Sequence, residues 1–366
     1  MSRAVYLATP GGVRGQGGMG RMTLYLARTW GERCPDLPLR VVDTYGRGSK
    51  LLMPLWCAAA FLRVAAAGLL GRIAVLHLNV SERGSFLRKG LLIVLARVLR
   101  VPVVLHCHGA DLVEDVRGAS PWRRRLIQAV FDSSACVLVL GEHWRAFVVG
   151  ELGQPTGKVR VLWNAVPDPG RPAPPTDGAA ANILFLGRLG ERKGVPELLA
   201  ALADPQLQAL PWQATLAGDG PVEQYRALAD SLGLNGRVAF TGWIDEREAK
   251  ARLAAADLLV LPSRHEGLPI AILEAMSYGV PVVATPVGAV SDAVRDGRSG
   301  LLVPPGDAGA LARALERLVG SPSLRRTLGA AARARFLADF SLEAHVDQLR
   351  LAYGLTAAPQ PLPRAA

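Results

Sequence analysis

The 366-residue chain carries 42 Lys/Arg against 31 Asp/Glu, a formal charge of +11, in a composition that is 50% hydrophobic and 20% charged. Those totals exclude a disordered chain, and the length exceeds the roughly 250–300 residues at which a single core stops growing, so two domains are expected. Four widely spaced cysteines, Cys34, Cys57, Cys107 and Cys136, form no C-x-x-C pair, which argues against disulfides and structural zinc and for a reducing cytoplasm.

Residues 1–3 lead directly into a strand-like run without a basic segment followed by an apolar one, so no export signal is expected. The apolar stretches 51–62 and 90–96 are broken by Arg63 and Arg97, short of the roughly 20 residues a membrane span needs. The charge is one-sided: residues 1–180 hold 23 Lys/Arg against 12 Asp/Glu, and the remainder holds 19 of each. A basic first half attracts anionic lipid headgroups, phosphorylated substrates or nucleic acid through the same long-range field.

In chain order the first half alternates a strand at 4–9, a helix at 21–31, a strand at 39–43, a helix at 51–70 and a strand at 75–78. A helix at 85–99, a strand at 103–107, a helix at 122–131 and a strand at 136–140 follow. Strands separated by helices, without two-residue alternation of polarity, predict a parallel α/β sheet covered on both faces, a Rossmann-like domain. The Pro/Gly-rich stretch 164–181 has no periodicity and reads as a linker. The pattern then restarts: strands at 183–186, 213–217, 238–240, 258–261 and 282–284 alternate with helices at 195–203, 221–232, 246–255 and 271–278. Open parallel sheets bind ligands outside the carboxyl ends of their strands, which places the expected active site in a cleft shared by the two domains.

In the first loop, Gly15-Gln16-Gly17-Gly18-Met19-Gly20 matches G-x-G-x-x-G, with Asp43 ending the next strand 23 residues after Gly20. In a dinucleotide site the first glycine follows the strand directly, whereas here residues 10–14 intervene. The glycines at 11, 12, 15, 17, 18 and 20 are instead expected to form a mobile loop whose amides reach a bound phosphate or an acceptor.

The second half concentrates chemistry. Gly187-Arg188-Leu189-Gly190-Glu191-Arg192-Lys193-Gly194 follows its first strand, and Arg188 and Lys193 are placed to neutralise a diphosphate, with solvated surface charge as the alternative. Pro262-Ser263-Arg264-His265-Glu266-Gly267-Leu268-Pro269-Ile270 precedes a helix carrying Glu274, which puts two carboxylates in an E-x7-E spacing. Amides at Gly267, Leu268 and the first helical turn can receive phosphate oxygens, with Glu266 at the mouth of the helix and Glu274 about two turns inside. Capping or solvation is the alternative for each carboxylate.

Together the G-R-L…K-G loop, the S-R-H-E-G-L-P…E-A run and Gly279-Val280-Pro281-Val282-Val283-Ala284-Thr285 resemble glycosyltransferase family 4, the retaining GT-B group. His106-Cys107-His108-Gly109, Gly218-Asp219-Gly220-Pro221, Phe240-Thr241-Gly242-Trp243 and the GRSGLLVP run at 297–304 extend the resemblance over nearly the whole chain. Asn164-Ala165-Val166 stands where the family often carries Asn-Gly-Val.

The resemblance implies a GT-B fold, two Rossmann-like domains facing a central cleft. An acceptor-binding domain over 1–165, a linker over 166–181, a donor-binding domain over 182–340 and a flexible tail at 357–366 are expected, with a helix near 341–354 packing back onto the first domain. It also implies a retaining hexosyltransferase that uses a nucleoside-diphosphate sugar. Glu266 would contact the donor sugar near the reacting carbon, Glu274 the ribose, Arg188 and Lys193 the diphosphate, and backbone at Gly242, Trp243 and Ile244 the base. Gly17 and Gly18 belong to the same donor set. The family's first-domain histidine matches His108, which would bond the transferred sugar or the leaving phosphate; an ordinary core histidine is the alternative. His106 and His108 alternate along a strand, so only one is expected to face the cleft. A His106-x-His108 metal pair is not expected, and no D-x-D motif supplies a divalent site, so no metal cofactor is expected.

No acid is paired with Glu266 as the two-carboxylate scheme of glycosidases requires, which favours front-face substitution with retention. Ser85 is read as the cap of a helix bearing Arg88, Lys89 and an apolar stripe at 91–99; with Arg123, Arg124 and Arg125 these suggest a lipid-linked saccharide acceptor and an anionic membrane surface. Cytoplasmic, peripheral placement at the inner face of the membrane follows. A GT-B sugar-nucleotide epimerase and a non-catalytic sugar-nucleotide- or lipid-binding protein are the competing readings. Nucleic-acid binding is disfavoured because aromatics make up only 6% of the chain.

Overall fold

The computed structural model describes residues 3–15, 17–46, 50–82, 84–170 and 180–355. The chain divides into one unit formed by 1–165 with 342–366 and a second formed by 166–341.

The first unit is built on β1 (Ala4–Thr9), β2 (Leu39–Asp43), β3 (Ile73–Val80), β4 (Val103–Cys107), β5 (Cys136–Val139) and β6 (Val159–Val161). They form one parallel sheet in the order β2-β1-β3-β4-β5-β6. Every residue of β4 and β5 is buried, as a central parallel strand covered on both faces requires. The helix Leu342–Ala352 belongs to this unit: Val346, Leu349 and the following Tyr353 join Val5, Leu7, Leu26 and Trp30 in its core. Burying each of those aliphatic side chains is worth about 1.5–3 kcal/mol, and an Arg33–Asp347 pair at 2.9 Å adds a polar tie.

The second unit carries β7 (Ala181–Leu186), β8 (Trp212–Ala217), β9 (Val238–Gly242), β10 (Leu258–Leu261), β11 (Val282–Ala284) and β12 (Gly300–Leu302). Their parallel order is β12-β11-β10-β7-β8-β9. The order reverses between β7 and β10, and the loops leaving those two strands are the ones that carry the Arg188–Lys193 and Ser263–Glu266 segments. Ligands of open α/β sheets bind at such a switch point. Two further helices, Ala308–Val319 and Pro322–Asp339, follow the last predicted strand; Asp307 and Ser321 cap them through Ala310 and Leu324 backbone N–H groups.

Several sequence expectations change. Gly17 and Gly18 are the first residues of the helix Gly17–Arg33 rather than part of a mobile loop. The loop packs so tightly on that helix that a Cβ at Gly20 would lie 1.8 Å from the Gly15 carbonyl oxygen, so Gly20 serves close packing. Asp43 Oδ1 accepts from the backbone N–H groups of Gly11, Tyr45 and Gly46 and so braces that loop. Ser85 lies inside the helix Ser85–Val98, preceded by Gly84, and its Oγ accepts from Ser81 N–H instead of capping the helix. Ala165 needs no glycine: among the described residues Arg100 alone of the non-glycines has a positive φ. Residues 166–168 are held to the second unit by the Val166 N–H to Phe340 carbonyl bond and an Asp168–Arg333 pair at 2.6 Å. The middle of the expected linker, 171–179, and the tail from 356 lie outside the described residues.

Candidate functional site

In the second unit the chemistry gathers where two loops touch. The loop after β7 turns through Gly194 at φ +70°, where a Cβ would stand 2.0 Å from the Pro262 carbonyl oxygen. Only glycine permits that approach. Arg264 N–H donates to the Arg192 carbonyl at 2.8 Å, zipping the loop after β7 to the loop after β10. This contact delivers Lys193 Nζ to 2.5 Å from Glu266 Oε1, and Ser263 Oγ donates to the same oxygen at 2.6 Å. Glu266 is 9% exposed, so the pair is largely withdrawn from solvent and stronger than a surface ion pair. Both contacts engage Oε1, and Oε2 has none among the described residues.

Gly267, Leu268 and Pro269 lead from Glu266 into the helix Ile270–Ser277, where Glu274 is buried. The helix begins four residues before Glu274, so this carboxylate sits one turn inside, where the sequence spacing suggested two. Arg188 is mostly exposed and lies 4.0 Å from Asp219. Trp243 is exposed, Ile244 is buried, and Gly242, at φ +69°, accepts from Gly218 N–H through its carbonyl. The sequence reading gave no role to Ser263 or to Thr285, whose hydroxyl donates to the Ser263 carbonyl and braces the Glu266 loop. Small hydroxyl residues flanking a strand end are too common to have stood out.

In the first unit His108 lies just past β4. His106 and His108 do not oppose each other: their rings are 4.0 Å apart, because residues two apart on a strand share a face. Both line a cavity of about 10 Å³, room for one water, with His77, His345 and Asn79. His106 Nε2 is buried without a hydrogen-bond partner among the described residues. His345 Nδ1 lies 2.8 Å from the Trp163 carbonyl. Burial, with smaller repulsion from neighbouring imidazoles, holds His77 and His108 down to about 3 and His106 well below its ordinary value; burial also lowers His345 to about 4. All four are neutral at physiological pH. Asn79, at the end of β3, contacts both His77 and His108 and was not singled out in the sequence.

The basic set on this unit separates. Lys89 is fully buried with Nζ 2.7 Å from Thr44 Oγ1, and burial, then Arg88, pulls it down to about 7. It cannot meet a membrane surface. Arg88 is half-buried over the Tyr45 ring. Arg123 is paired with Asp115 at 2.5 Å, while Arg124 and Arg125 are exposed beside the exposed Trp122. The helix Ser85–Val98 turns Phe86, Lys89, Leu92, Ile93 and Ala96 inward and exposes Leu87, Leu91, Val94 and Val98. Among the described residues no helix is long and apolar enough to cross a membrane.

Residues 7–165 match the family model of a glycosyl transferase 4-like domain, and residues 180–321 match that of glycosyl transferases group 1. Alpha-D-kanosaminyltransferase of Streptomyces kanamyceticus is 30% identical over 274 residues, covering 70% of this chain and 71% of that protein. Lipopolysaccharide core biosynthesis glycosyltransferase LpsE of Rhizobium meliloti is 39% identical over 173 residues, 47% of this chain and 49% of LpsE. Among solved structures, Anabaena HepE in complex with UDP-glucose is similar in fold, with a TM-score of 0.71 at 20% identity over 96% of this chain and 99% of that one.

Proposed function

The chain belongs to the group 1 glycosyl transferases and is a glycosyltransferase of the GT-B type, with relatives in lipopolysaccharide assembly; on that premise we propose that it transfers a hexose with retention from a nucleoside-diphosphate sugar to a lipid-linked saccharide. The observation that carries the reading is the Lys193–Glu266–Ser263 cluster at the mouth of the helix Ile270–Ser277. Glu266 is pinned through Oε1, which leaves Oε2 to accept from a sugar hydroxyl. Lys193, Arg188 and the amides at the start of the helix offer positive charge to the leaving diphosphate as it gains charge. Glu274 anchors the nucleotide. A partly dissociated diphosphate then takes the proton of the incoming hydroxyl on the face it leaves, which retains configuration without a second carboxylate.

The scheme calls for no metal cofactor, so chelation with EDTA leaves the rate unchanged. HepE is seen with UDP-glucose, which puts a UDP-hexose first among donors to try, ahead of GDP-mannose. Glu266→Gln is expected to lower kcat at least about tenfold with a smaller loss of nucleotide affinity, because the carboxylate acts where charge develops. Equal weakening of both would remove Glu266 from this role.

The acceptor side of the reading rests on the exposed stripe of Leu87, Leu91, Val94 and Val98. The neighbouring helix Met53–Leu69 adds exposed Leu55, Trp56, Leu62 and Leu69, and Arg124 and Arg125 lie on the helix that packs on the other side. An apolar face beside exposed arginines suits an anionic leaflet carrying the acceptor, with the enzyme peripheral at the cytoplasmic face. Sedimentation with anionic liposomes that weakens as salt rises supports this; sedimentation indifferent to salt removes the electrostatic part.

A further inference from the structure

The first unit holds a hydrogen-bonded chain whose polarity can be read from its members. Asn79 is buried, its Nδ2 donates to Thr9 Oγ1 at 3.2 Å, and its Oδ1 therefore faces two imidazoles, His77 Nε2 at 3.0 Å and His108 Nε2 at 3.2 Å. A carbonyl oxygen only accepts, so both Nε2 atoms carry protons. A neutral imidazole has one proton, which leaves each Nδ1 as a bare lone pair. At His77 that assignment is met from the other end, because the Tyr353 hydroxyl lies 2.6 Å from Nδ1 and burial raises its pKa far above the ordinary value, keeping it a donor. The chain runs Tyr353 O–H to His77 Nδ1, then His77 Nε2–H to Asn79 Oδ1, which also receives His108 Nε2–H. Tyr353 and His77 are held by the core: the tyrosine packs 5.7 Å from Trp30 and edge-on to His77.

We propose that Asn79, braced by His77 and Tyr353, is a positioning residue that fixes His108 as the neutral Nε2–H tautomer, so that Nδ1 accepts a hydrogen bond from a substrate hydroxyl instead of donating one to phosphate. The proposal rests on the reading of His108 as a substrate-contacting residue and decides between the two partners which that reading left open. Fixing a tautomer matters because a ring with the wrong nitrogen protonated presents a donor at that point: the substrate hydroxyl can then only accept from it, and its own proton must find another acceptor.

The test is long-range proton–nitrogen NMR of the intact chain carrying 15N-labelled histidine, with His108 assigned by its loss in His108→Ala. A bare Nδ1 and a protonated Nε2 are expected for His108. Asn79→Leu, which removes the acceptor at similar volume, is expected to mix the tautomers and lower kcat about tenfold at nearly unchanged KM for the donor. Asn79→Asp, which can only accept, restores the Nε2–H signature and most of the rate lost in Asn79→Leu. Turnover is read as nucleoside-diphosphate release from whichever of UDP-glucose, UDP-galactose, UDP-N-acetylglucosamine and GDP-mannose is used fastest.

A protonated Nδ1 in the wild type, or an Asn79→Leu variant with unchanged tautomer and rate, overturns the proposal. Failure of the underlying reading looks different: His108→Ala would then leave turnover intact whatever the tautomer.

Discussion

The two units share a parallel α/β design and bury opposite chemistry. The first hides bases: His77, His106, His345 and Lys89 are in its interior, and His108 lies against them. The second hides acids that are mostly matched to cations, with Glu266 on Lys193, Glu197 on Arg264 and Asp257 on Arg325. A buried base can shed its charge: the four histidines, lowered well below 6.5, are neutral at physiological pH, and Lys89, lowered to about 7, is brought to the middle of its titration there. The acids of the second unit are instead buried as ion pairs, each held against its cation. The first unit thus offers neutral lone pairs, and the second a fixed field of charge.

Acid is the strongest way to break that contrast. The histidines have folded values below their unfolded value of about 6.5, so the unfolded chain binds more protons as pH falls through 6.5 toward 3, and stability is lost in that direction. Each histidine wholly within that window costs about 1.4 kcal/mol per pH unit. Hydrogen exchange on the intact chain, corrected for intrinsic rates, is expected to show β3 and β4 losing protection at roughly pH 5 before β10 and β11 do. Simultaneous loss in both units would erase the distinction.

Lys89 sharpens the contrast at the other end of the scale. Its folded value near 7 lies below its unfolded value of 10.5, so the wild type gains stability as pH rises between them. Lys89→Met is expected to flatten that slope and to raise stability at neutral pH by on the order of 1–2 kcal/mol, measured by urea unfolding at several pH values. An unchanged slope would mean that the amine is charged in place.

The smallest effect concerns the surfaces. Among the described residues the second unit exposes only Leu232, Trp243 and Leu337 as large apolar side chains, widely separated in sequence, whereas the first presents a continuous stripe. Val94→Glu is expected to change stability by no more than about 0.5 kcal/mol while reducing sedimentation with anionic liposomes. A stability loss well above that would mark Val94 as core instead of contact surface.

Much of this was legible in the chain. Unbroken apolar runs bounded by glycine and proline gave the strands, and the glycine-rich loops with Lys193 and Glu266 stood out as the segments that meet at the strand ends, because close backbone approach and charge there restrict residue choice severely. Lys89 was misread for a definite reason: the helix Ser85–Val98 is apolar on more than one face, so periodicity alone could not tell the stripe of Leu87, Leu91, Val94 and Val98 from the inward face of Phe86, Leu92 and Ile93. The later helices, Ala308–Val319 and Pro322–Asp339, announce themselves only through the caps Asp307 and Ser321, which are easily passed over without the sheet they cover.

By itself the sequence determined the two parallel sheets, the enzyme class and the glycines of the loops after β7 and β10, since local patterning and glycine placement are properties of short segments. Only the tertiary structure decided that Lys193 meets Glu266, that Lys89 is buried, and that Tyr353, His77 and Asn79 reach His108 in one hydrogen-bonded chain. Those pairings join residues as far apart as 276 positions in the chain, and no local pattern encodes a distance that only the packing of strands and helices sets.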